Sequence, residues 1–299
     1  MRLAGFTDEA AVDMRKQIAA VKELGWKAIE LRLVNGKNFH ELDEAELNEL
    51  NKLLKDECIE ICALGSTIAN WGQSIQTPFE ETKKVLQRTI SSMGQLGVEY
   101  VRIMSFAVEL DNQGRALEDQ HEQERFSRLK YICNSFLEAG VIPIHENCHT
   151  YGGMSWEHSL RLIDEVPGLK LVYDTGNPPL TPDFRKQYPY PMQNSWDFYQ
   201  HVKEHIAHVH IKDSINDKIN GQEIYTYPGE GEGDVLRIVT DLISGGYDST
   251  FSIEPHMAVV FHNDAVQSNA QIRYDNFITY GKKFELLLKK AHILAEQSR

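Results

Sequence analysis

The chain has 299 residues, of which 41% are hydrophobic and 25% charged, and its formal net charge at pH 7 is −13. These proportions are ordinary for a folded globular protein and argue against disorder. The negative charge disfavours nonspecific binding to nucleic acid or to an anionic membrane, because both carry phosphate. No apolar run reaches the roughly 20 residues of a bilayer span. Acidic residues interrupt the N-terminus too early for a signal peptide, so we expect a cytoplasmic protein.

Short β-rich runs alternate with helical patterns along the whole chain. The predicted strands are residues 3–6, 27–31, 59–64, 100–104, 141–146, 169–174, 206–210 and 251–254. The predicted helices are residues 11–24, 44–55, 78–96, 118–139, 156–165, 196–205, 235–244 and 264–294. A glycine that can end a helix precedes five of the strands, at Gly25, Gly97, Gly140, Gly168 and Gly246.

Eight such units without a break in composition predict a single (β/α)8 TIM barrel over residues 1–299. Its C-terminal helix should begin at about residue 264. A doubly wound open sheet is the alternative. Pro143 lies inside the fifth strand, where it cannot donate to the ladder, so we place it at a bulge or near the strand start.

Two long loops follow the sixth and seventh predicted strands. The first, at residues 175–191, is rich in proline and aromatic residues, and the second spans residues 211–232. Loops longer than about 12–15 residues are usually lids or binding loops. We expect both to cover the carboxyl end of the barrel.

Several common motifs do not explain the function of the chain. The four cysteines lack a CxxC pair, so buried free thiols are expected rather than a zinc site; they are Cys58, Cys62, Cys133 and Cys148. The glycine-rich segment from Gly229 to Gly233 carries two glutamates that would repel a phosphate. The chain has no G-x-S-x-G nucleophile elbow.

Four predicted strands instead stop on a side chain that can bind a metal. These residues are Glu146, Asp174, His210 and Glu254. The carboxyl ends of parallel strands meet on one face of a barrel, so the four side chains should converge. A set of three carboxylates and one imidazole is typical of a site for Mn²⁺, Mg²⁺ or Co²⁺, whereas structural zinc sites are rich in sulfur ligands. Zn²⁺ can also bind to this set. We predict one divalent cation, with Mn²⁺ as the first choice.

The alternation of side chains along a strand indicates which neighbours point inward. Glu146 and His210 share the inward direction with Ile144 and His208, and His208 is interpreted as a hydrogen-bonded core histidine. His145 should point to the helix layer unless the strand has already ended or bulged. Lys212 keeps the direction of His210 one step further out, where a substrate oxygen could meet it.

Three further residues near the strand ends have two interpretations each. His149 and His256 follow a predicted ligand by two or three residues, and they could support the ligands or contact the substrate. Arg102 ends the fourth strand, where it could neutralise buried acids or bind a substrate. We treat Arg102, Lys212 and His256 as candidate substrate-binding residues.

The sequence resembles a known family at several short motifs. They are Gly5–Glu9, Ile29–Arg32, Glu146-Asn147, Tyr173–Asn177, His208–Asp213, Pro228–Gly231 and Ile253–His256. Together they are similar to xylose isomerase-like TIM barrels of the sugar phosphate isomerase/epimerase type. In ketose 3-epimerases of that family the ligand order is Glu, Asp, His, Glu, which corresponds to the four strand-end residues. The resemblance implies that Glu146 and Glu254 also exchange the proton.

The chain departs from those epimerases at two positions. Asn177 replaces a substrate-binding histidine three residues after the aspartate, and Gly152 replaces a second glutamate six residues after the first ligand. Asn177 therefore becomes a candidate substrate-binding residue.

Our first functional hypothesis is a sugar or polyol isomerase/epimerase. The cation would chelate a carbonyl and a neighbouring hydroxyl and stabilise the enediolate, while Glu146 and Glu254 act as base and acid. The main alternative is a metal-dependent lyase, either a dehydratase or a subunit that cleaves 3-oxo-glycosides or C-glycosides. There the same proton abstraction is followed by β-elimination, with His145 or His149 as the base.

Two other classes of function are also considered, together with the expected substrate and assembly. A metal-free carbohydrate-binding or regulatory barrel is the third hypothesis. A nuclease resembling endonuclease IV is the fourth, disfavoured because the chain is acidic and offers no His-rich three-metal cluster. We expect a small carbohydrate as substrate and a homo-oligomer or hetero-oligomer as the assembly, because relatives usually associate and the long C-terminal helix offers a surface.

Overall fold

A computed structural model describes residues 1–217, 220, 222–261 and 266–297 of the chain. Barrel strands and helices alternate in it. The strands are β1 (Arg2–Gly5), β2 (Ala28–Leu31), β3 (Glu60–Gly65), β4 (Tyr100–Ile103), β5 (Ile142–Glu146), β6 (Lys170–Asp174), β7 (Ile206–Ile211) and β8 (Thr250–Ile253). The helices are α1 (Met14–Glu23), α2 (Glu44–Glu57), α3 (Phe79–Leu96), α4 (Glu122–Glu138), α5 (Trp156–Glu165), α6 (Ser195–Val202), α7 (Val235–Ser244) and α8 (Ala270–Gln297).

The strands form a parallel sheet that curls into a barrel. Their order is β1-β8-β7-β6-β5-β4-β3-β2, and a parallel bridge between Phe6 and Glu30 joins the two ends of the sheet. Strands that are neighbours in sequence are therefore neighbours in the ring. The predicted (β/α)8 TIM barrel is confirmed, and the doubly wound alternative is wrong.

Apolar side chains divide between a layer under the helices and the barrel interior. In α3 the buried residues Leu86, Thr89 and Met93 recur every three or four positions, which places them on one face of the helix. That helix ends at Gly97, whose φ of +67° favours glycine. The barrel interior holds small or branched residues, namely Ala4, Ala28, Cys62, Ala63, Ile144 and Val172. Pro143 lies near the start of β5, as predicted.

The helix starts differ from the predictions by three residues or more at three places. Helix α1 begins at Met14 rather than at residue 11, and the Asp13 side chain caps it by accepting a hydrogen bond from the Lys16 N–H. Helix α4 begins at Glu122 rather than at residue 118. The predicted start of the last helix at residue 264 lies outside the described residues, and α8 begins at Ala270. There the Asn269 side chain accepts a hydrogen bond from the Ile272 N–H at 3.0 Å, which caps the first turn. That residues 1–299 form one domain stays a prediction.

The long loop after β7 contains an antiparallel hairpin, Asp213–Asp217 with Gln222–Thr226, that the sequence did not predict. A shorter pair, Leu33–Val34 with Lys37–Asn38, follows β2. The cysteines are free thiols, but Cys58 is exposed and not buried as predicted. Among the described helices, none combines the length and the apolar character that a membrane crossing needs.

Candidate metal centre and cavity

The four predicted ligands converge at the carboxyl end of the barrel. Glu146 ends β5, Asp174 ends β6, His210 lies in β7 and Glu254 directly follows β8. Their ligand atoms all lie within 4.8 Å of one another, and none of the four residues is more than 3% exposed. The ladder itself sets this convergence, since Asp174 and His210 are register partners across β6 and β7.

One ring nitrogen of His210 faces all three carboxylates. Its Nδ1 lies 3.7 Å from Glu146 Oε1, 3.9 Å from Asp174 Oδ2 and 3.9 Å from Glu254 Oε2. These gaps exceed hydrogen-bond length, and no described residue forms a hydrogen bond with this buried nitrogen. They do suit ligand atoms that each lie about 2.0–2.2 Å from a shared cation. The residues therefore fit the predicted divalent cation.

The other ring nitrogen of His210 is held from inside the barrel. Glu30 Oε1 lies 3.1 Å from His210 Nε2, and Glu30 Oε2 lies 2.8 Å from His208 Nε2. Burial lowers the pKa of His210, but the charges of Glu30 and Glu146 outweigh it and raise that pKa to about 10. His208 is a hydrogen-bonded core histidine, as interpreted. Glu30 was not among the predicted site residues, although it is a lone carboxylate in the apolar run Ala28–Leu31.

Lys212 places its ammonium beside two of the ligands. Its Nζ lies 2.7 Å from Asp174 Oδ2 and 3.0 Å from Glu254 Oε2, and the residue is 4% exposed. Burial lowers the pKa of Lys212, but Asp174 and Glu254 together hold it well above its ordinary value. Burial also raises the pKa of Asp174 to about 6, despite the neighbouring ammonium. The lysine is therefore charged and offsets part of the negative charge of the cluster.

Each ligand glutamate is paired with an arginine. Arg102 Nη1 lies 3.0 Å from Glu146 Oε2, and Arg32 Nη1 lies 3.1 Å from Glu254 Oε1. Burial raises the pKa of Glu146, but Arg102 and His210 outweigh it and lower that pKa to about 2. The pKa of Glu254 is held well below its usual range, because Lys212 and the nearby cationic groups outweigh the effect of burial. Both glutamates are ionised at neutral pH.

A cavity of about 380 Å³ opens onto this cluster. Seven predicted site residues line it: Arg102, Glu146, His149, Asn177, Lys212, Glu254 and His256. Aromatic residues lie at its mouth, with Trp71 42% and Phe261 41% exposed. Asn177 donates to Glu146 Oε1 at 3.0 Å, and His256 Nδ1 lies 2.9 Å from Glu9 Oε1. A wider groove of about 1040 Å³ on the outer surface is lined by none of the predicted site residues.

The structure does not bring His145 to the cavity. The residue is fully buried, its Nε2 lies 3.0 Å from Ser105 Oγ, and its ring contacts the turn before α5. This is the predicted direction toward the helix layer. A Cβ at Gly152 would lie 2.4 Å from His145 Cε1, so a glutamate has no room at this position.

The glycine-rich segment has an internal partner for its N–H groups. The Asp213 carboxylate accepts hydrogen bonds from the N–H groups of Gly229, Gly231 and Gly233 at 2.8–2.9 Å. These donors are therefore used within the protein and do not cradle a phosphate. Asp213 holds the loop against the end of β7, next to Lys212.

Known structures share this fold at low sequence identity. The IOLI protein, crystallised with a zinc atom, is 16% identical with a TM-score of 0.71, over 97% of this chain and 99% of that one. A probable 3-DHS dehydratase from Bacillus anthracis is 17% identical with a TM-score of 0.68, over 95% and 99%. An L-ribulose 3-epimerase is 16% identical with a TM-score of 0.68, over 99% and 97%. At these identities the likeness shows the fold alone.

Among curated proteins, none matches the sequence. A family model, described as the xylose isomerase-like TIM barrel, matches residues 18–274. This match spans most of the chain, from α1 to the first turns of α8. The chain therefore belongs to the xylose isomerase-like TIM barrel family.

Proposed function

We propose that the protein is a divalent-metal-dependent isomerase or epimerase of a sugar or polyol. It would remove the proton α to the substrate carbonyl, and the reaction would proceed through the resulting enediolate. The observation that carries this proposal is the cluster of Glu146, Asp174, His210 and Glu254, open to a cavity of about 380 Å³. That volume lies in the range of small-molecule sites. Polar and charged side chains converge in it, as a polyhydroxylated ligand requires.

The cation, when bound, would polarise the substrate carbonyl and make the neighbouring C–H more acidic. Glu146 and Glu254 lie three strands apart around the ring, and each keeps one oxygen on an arginine and the other toward the centre. Both are ionised, so either can accept the α-proton and, once protonated, return it to the enediolate at the neighbouring carbon. Return on the opposite face requires that the other glutamate first takes up a proton from solvent. The Lys212 ammonium can donate to the oxygen that gains negative charge.

Two neighbouring side chains orient these groups. Asn177 donates to Glu146 Oε1, and Arg32 is itself fixed by two hydrogen bonds to Asp8 at 2.8 Å and 3.0 Å. The glutamates are therefore held in one geometry before a substrate arrives. The likeness to an L-ribulose 3-epimerase supports this reaction class. We further propose Mn²⁺ as the cation and a small carbohydrate as the substrate.

A lyase is the second candidate, favoured by His149. This residue is exposed to the cavity, and the surrounding protein limits its hydration and lowers its pKa. A neutral imidazole at this position could remove the α-proton before β-elimination. His149 is thus a better candidate for the base than His145. The likeness to a probable 3-DHS dehydratase supports this alternative.

Solvent exchange tests the proposal. The protein, loaded with Mn²⁺ or Mg²⁺, is incubated in D₂O with a panel of ketoses, and deuterium at the carbon next to the carbonyl is followed by NMR. We expect exchange with an epimeric or isomeric product, and none after chelation or in Glu254→Gln. A parallel incubation with a keto-inositol and a 3-oxo-glycoside is monitored for enone absorbance, which would identify the lyase.

The outcomes separate the hypotheses. Exchange with enone formation and no epimer would replace the isomerase by the lyase. If metal analysis finds no cation bound and chelation changes nothing, the metal-free binding barrel is the better description. Cytoplasmic location and a homo- or hetero-oligomer stay predictions, and the second is checked by light scattering.

A further inference from the structure

Glu30 is a buried carboxylate inside the barrel, directly beneath the ligand cluster. It lies in β2 and is 0% exposed. Its neighbours Ile29 and Leu31 pack in the layer under the helices, whereas Ala28 packs in the barrel interior. The register between β2 and β3 shifts between Ile29 and Glu30. The extra residue there is Cys62 of β3, so the alternation along β2 is unbroken. Glu30 points inward like Ala28, and its carboxylate reaches across the interior to β7.

Both oxygens of Glu30 are used by histidines of β7. Oε1 lies 3.1 Å from His210 Nε2, and Oε2 lies 2.8 Å from His208 Nε2. The two imidazole rings are perpendicular, with centroids 5.4 Å apart. Since an ionised carboxylate only accepts hydrogen bonds, each histidine must present an Nε2–H to it. Glu30 thus keeps Nε2 of both rings protonated.

This arrangement leaves Nδ1 of His210 as the nitrogen that faces Glu146, Asp174 and Glu254. The Phe6 ring makes a T-shaped contact with the same ring, with centroids 5.1 Å apart, and limits its rotation. A metal-binding histidine commonly donates its second N–H to a carboxylate, which fixes the ring and makes the ligand nitrogen more basic.

We propose that Glu30 is a positioning residue that sets the cation affinity of the site, by holding His210 with Nδ1 toward the three carboxylates. The inference rests on the proposed cation dependence. Glu30 does not touch the cation site itself, because His210 lies between them. His208 supports the arrangement by occupying the second oxygen of Glu30.

The substitution Glu30→Gln keeps the shape but not the hydrogen bonding. A glutamine offers one carbonyl oxygen and one NH₂ group, so it can accept an N–H from only one of the two histidines. The other histidine must either face a donor or move its proton to Nδ1. Because loss of such a supporting carboxylate typically weakens metal binding about 10–100-fold, we expect a Kd for Zn²⁺ raised by this factor.

The matched control is His208→Gln, which can still donate to Glu30 and leaves the bond between Glu30 and His210 in place. Zn²⁺ affinity is measured by competition with a chromophoric chelator for the wild type, Glu30→Gln and His208→Gln. We expect Glu30→Gln to bind much more weakly than His208→Gln. In parallel, ¹⁵N–¹H correlation spectra of the Zn²⁺-loaded protein should show His210 protonated at Nε2 in the wild type.

Equal Zn²⁺ affinity in folded Glu30→Gln and in the wild type would overturn the inference, as would a His210 protonated at Nδ1 in the loaded wild type. If both variants lose affinity equally and also melt earlier without metal, Glu30 is only a core residue. Where Glu30→Gln does not fold, Glu30→Asp keeps the charge but shortens the reach to His210, and it must show the same loss of affinity.

The test separates this inference from the proposed function. A wild-type protein that binds no cation at the cluster refutes the proposed metal dependence. A wild type that binds Zn²⁺ but gives no solvent exchange refutes the reaction and leaves the role of Glu30 intact. Unchanged affinity in Glu30→Gln refutes the role of Glu30 and leaves the reaction intact.

Discussion

Replacing Lys212 by methionine should destabilise the metal-free protein and make the cation a stronger stabiliser. The ammonium lies 2.7 Å from Asp174 Oδ2 and 3.0 Å from Glu254 Oε2, and these two oxygens also face His210. Methionine fills a similar volume without the charge. The variant therefore leaves two buried carboxylates with less compensation unless a cation binds.

The expected magnitude follows from the burial of the group, which is 4% exposed. Removing one partner of a buried ion pair costs about 3–5 kcal/mol. For a chain of this size, each kcal/mol lowers the Tm by roughly 2–4 °C, so a decrease of about 6–20 °C is expected without metal. Because the pKa of Asp174 is raised to about 6, the comparison is made at pH 8, where this carboxylate is ionised in the wild type.

The assay is thermal unfolding of the wild type and Lys212→Met, with chelator or with Mn²⁺ or Zn²⁺. A cation at 100 times its Kd stabilises a protein by about 2.7 kcal/mol, and the gain should be larger in the variant because the cation replaces the lost charge. Lys37→Met is the control, since Lys37 pairs with Glu46 at the surface and should change the Tm little. Equal metal-free Tm values for Lys212→Met and the wild type would refute the reasoning.

Three further changes test other parts of the site. Glu254→Gln should abolish turnover while the protein stays folded, as measured by activity and circular dichroism; unfolding at saturating metal would make the residue structural. Asp213→Asn places an NH₂ group against the glycine N–H donors and should lower the free energy of unfolding by about 2–4 kcal/mol. Urea unfolding measures this loss, and an unchanged midpoint would refute the anchoring role of Asp213. Because the pKa of His210 is raised to about 10, the cation must displace a proton below that pH. Binding should therefore tighten as pH rises and release protons, which calorimetry in buffers of different ionisation enthalpy detects, and pH-independent binding would contradict this.

The sequence by itself determined the barrel and the positions of its four candidate ligands. Alternating strand and helix patterns with helix-ending glycines are local signals, so the order of elements could be read without knowing any long-range contact. Side-chain alternation is equally local, and it correctly separated Glu146 from His145. The start of α8 was predicted too early, because the cap at Asn269 is a weaker signal than the apolar pattern.

The tertiary structure decided how the ligands are held. Glu30 and His208 are 178 residues apart, and Arg32 and Glu254 are 222 apart, so no spacing rule joins them. They meet only because ring closure brings β2 beside β1 and within three strands of β7 across the barrel interior. The pairing of Lys212 with Asp174 and Glu254 likewise requires that β6, β7 and β8 end at the same level of the barrel. A sequence fixes which groups lie at strand ends, but the charge each group faces is set by the closed barrel around it.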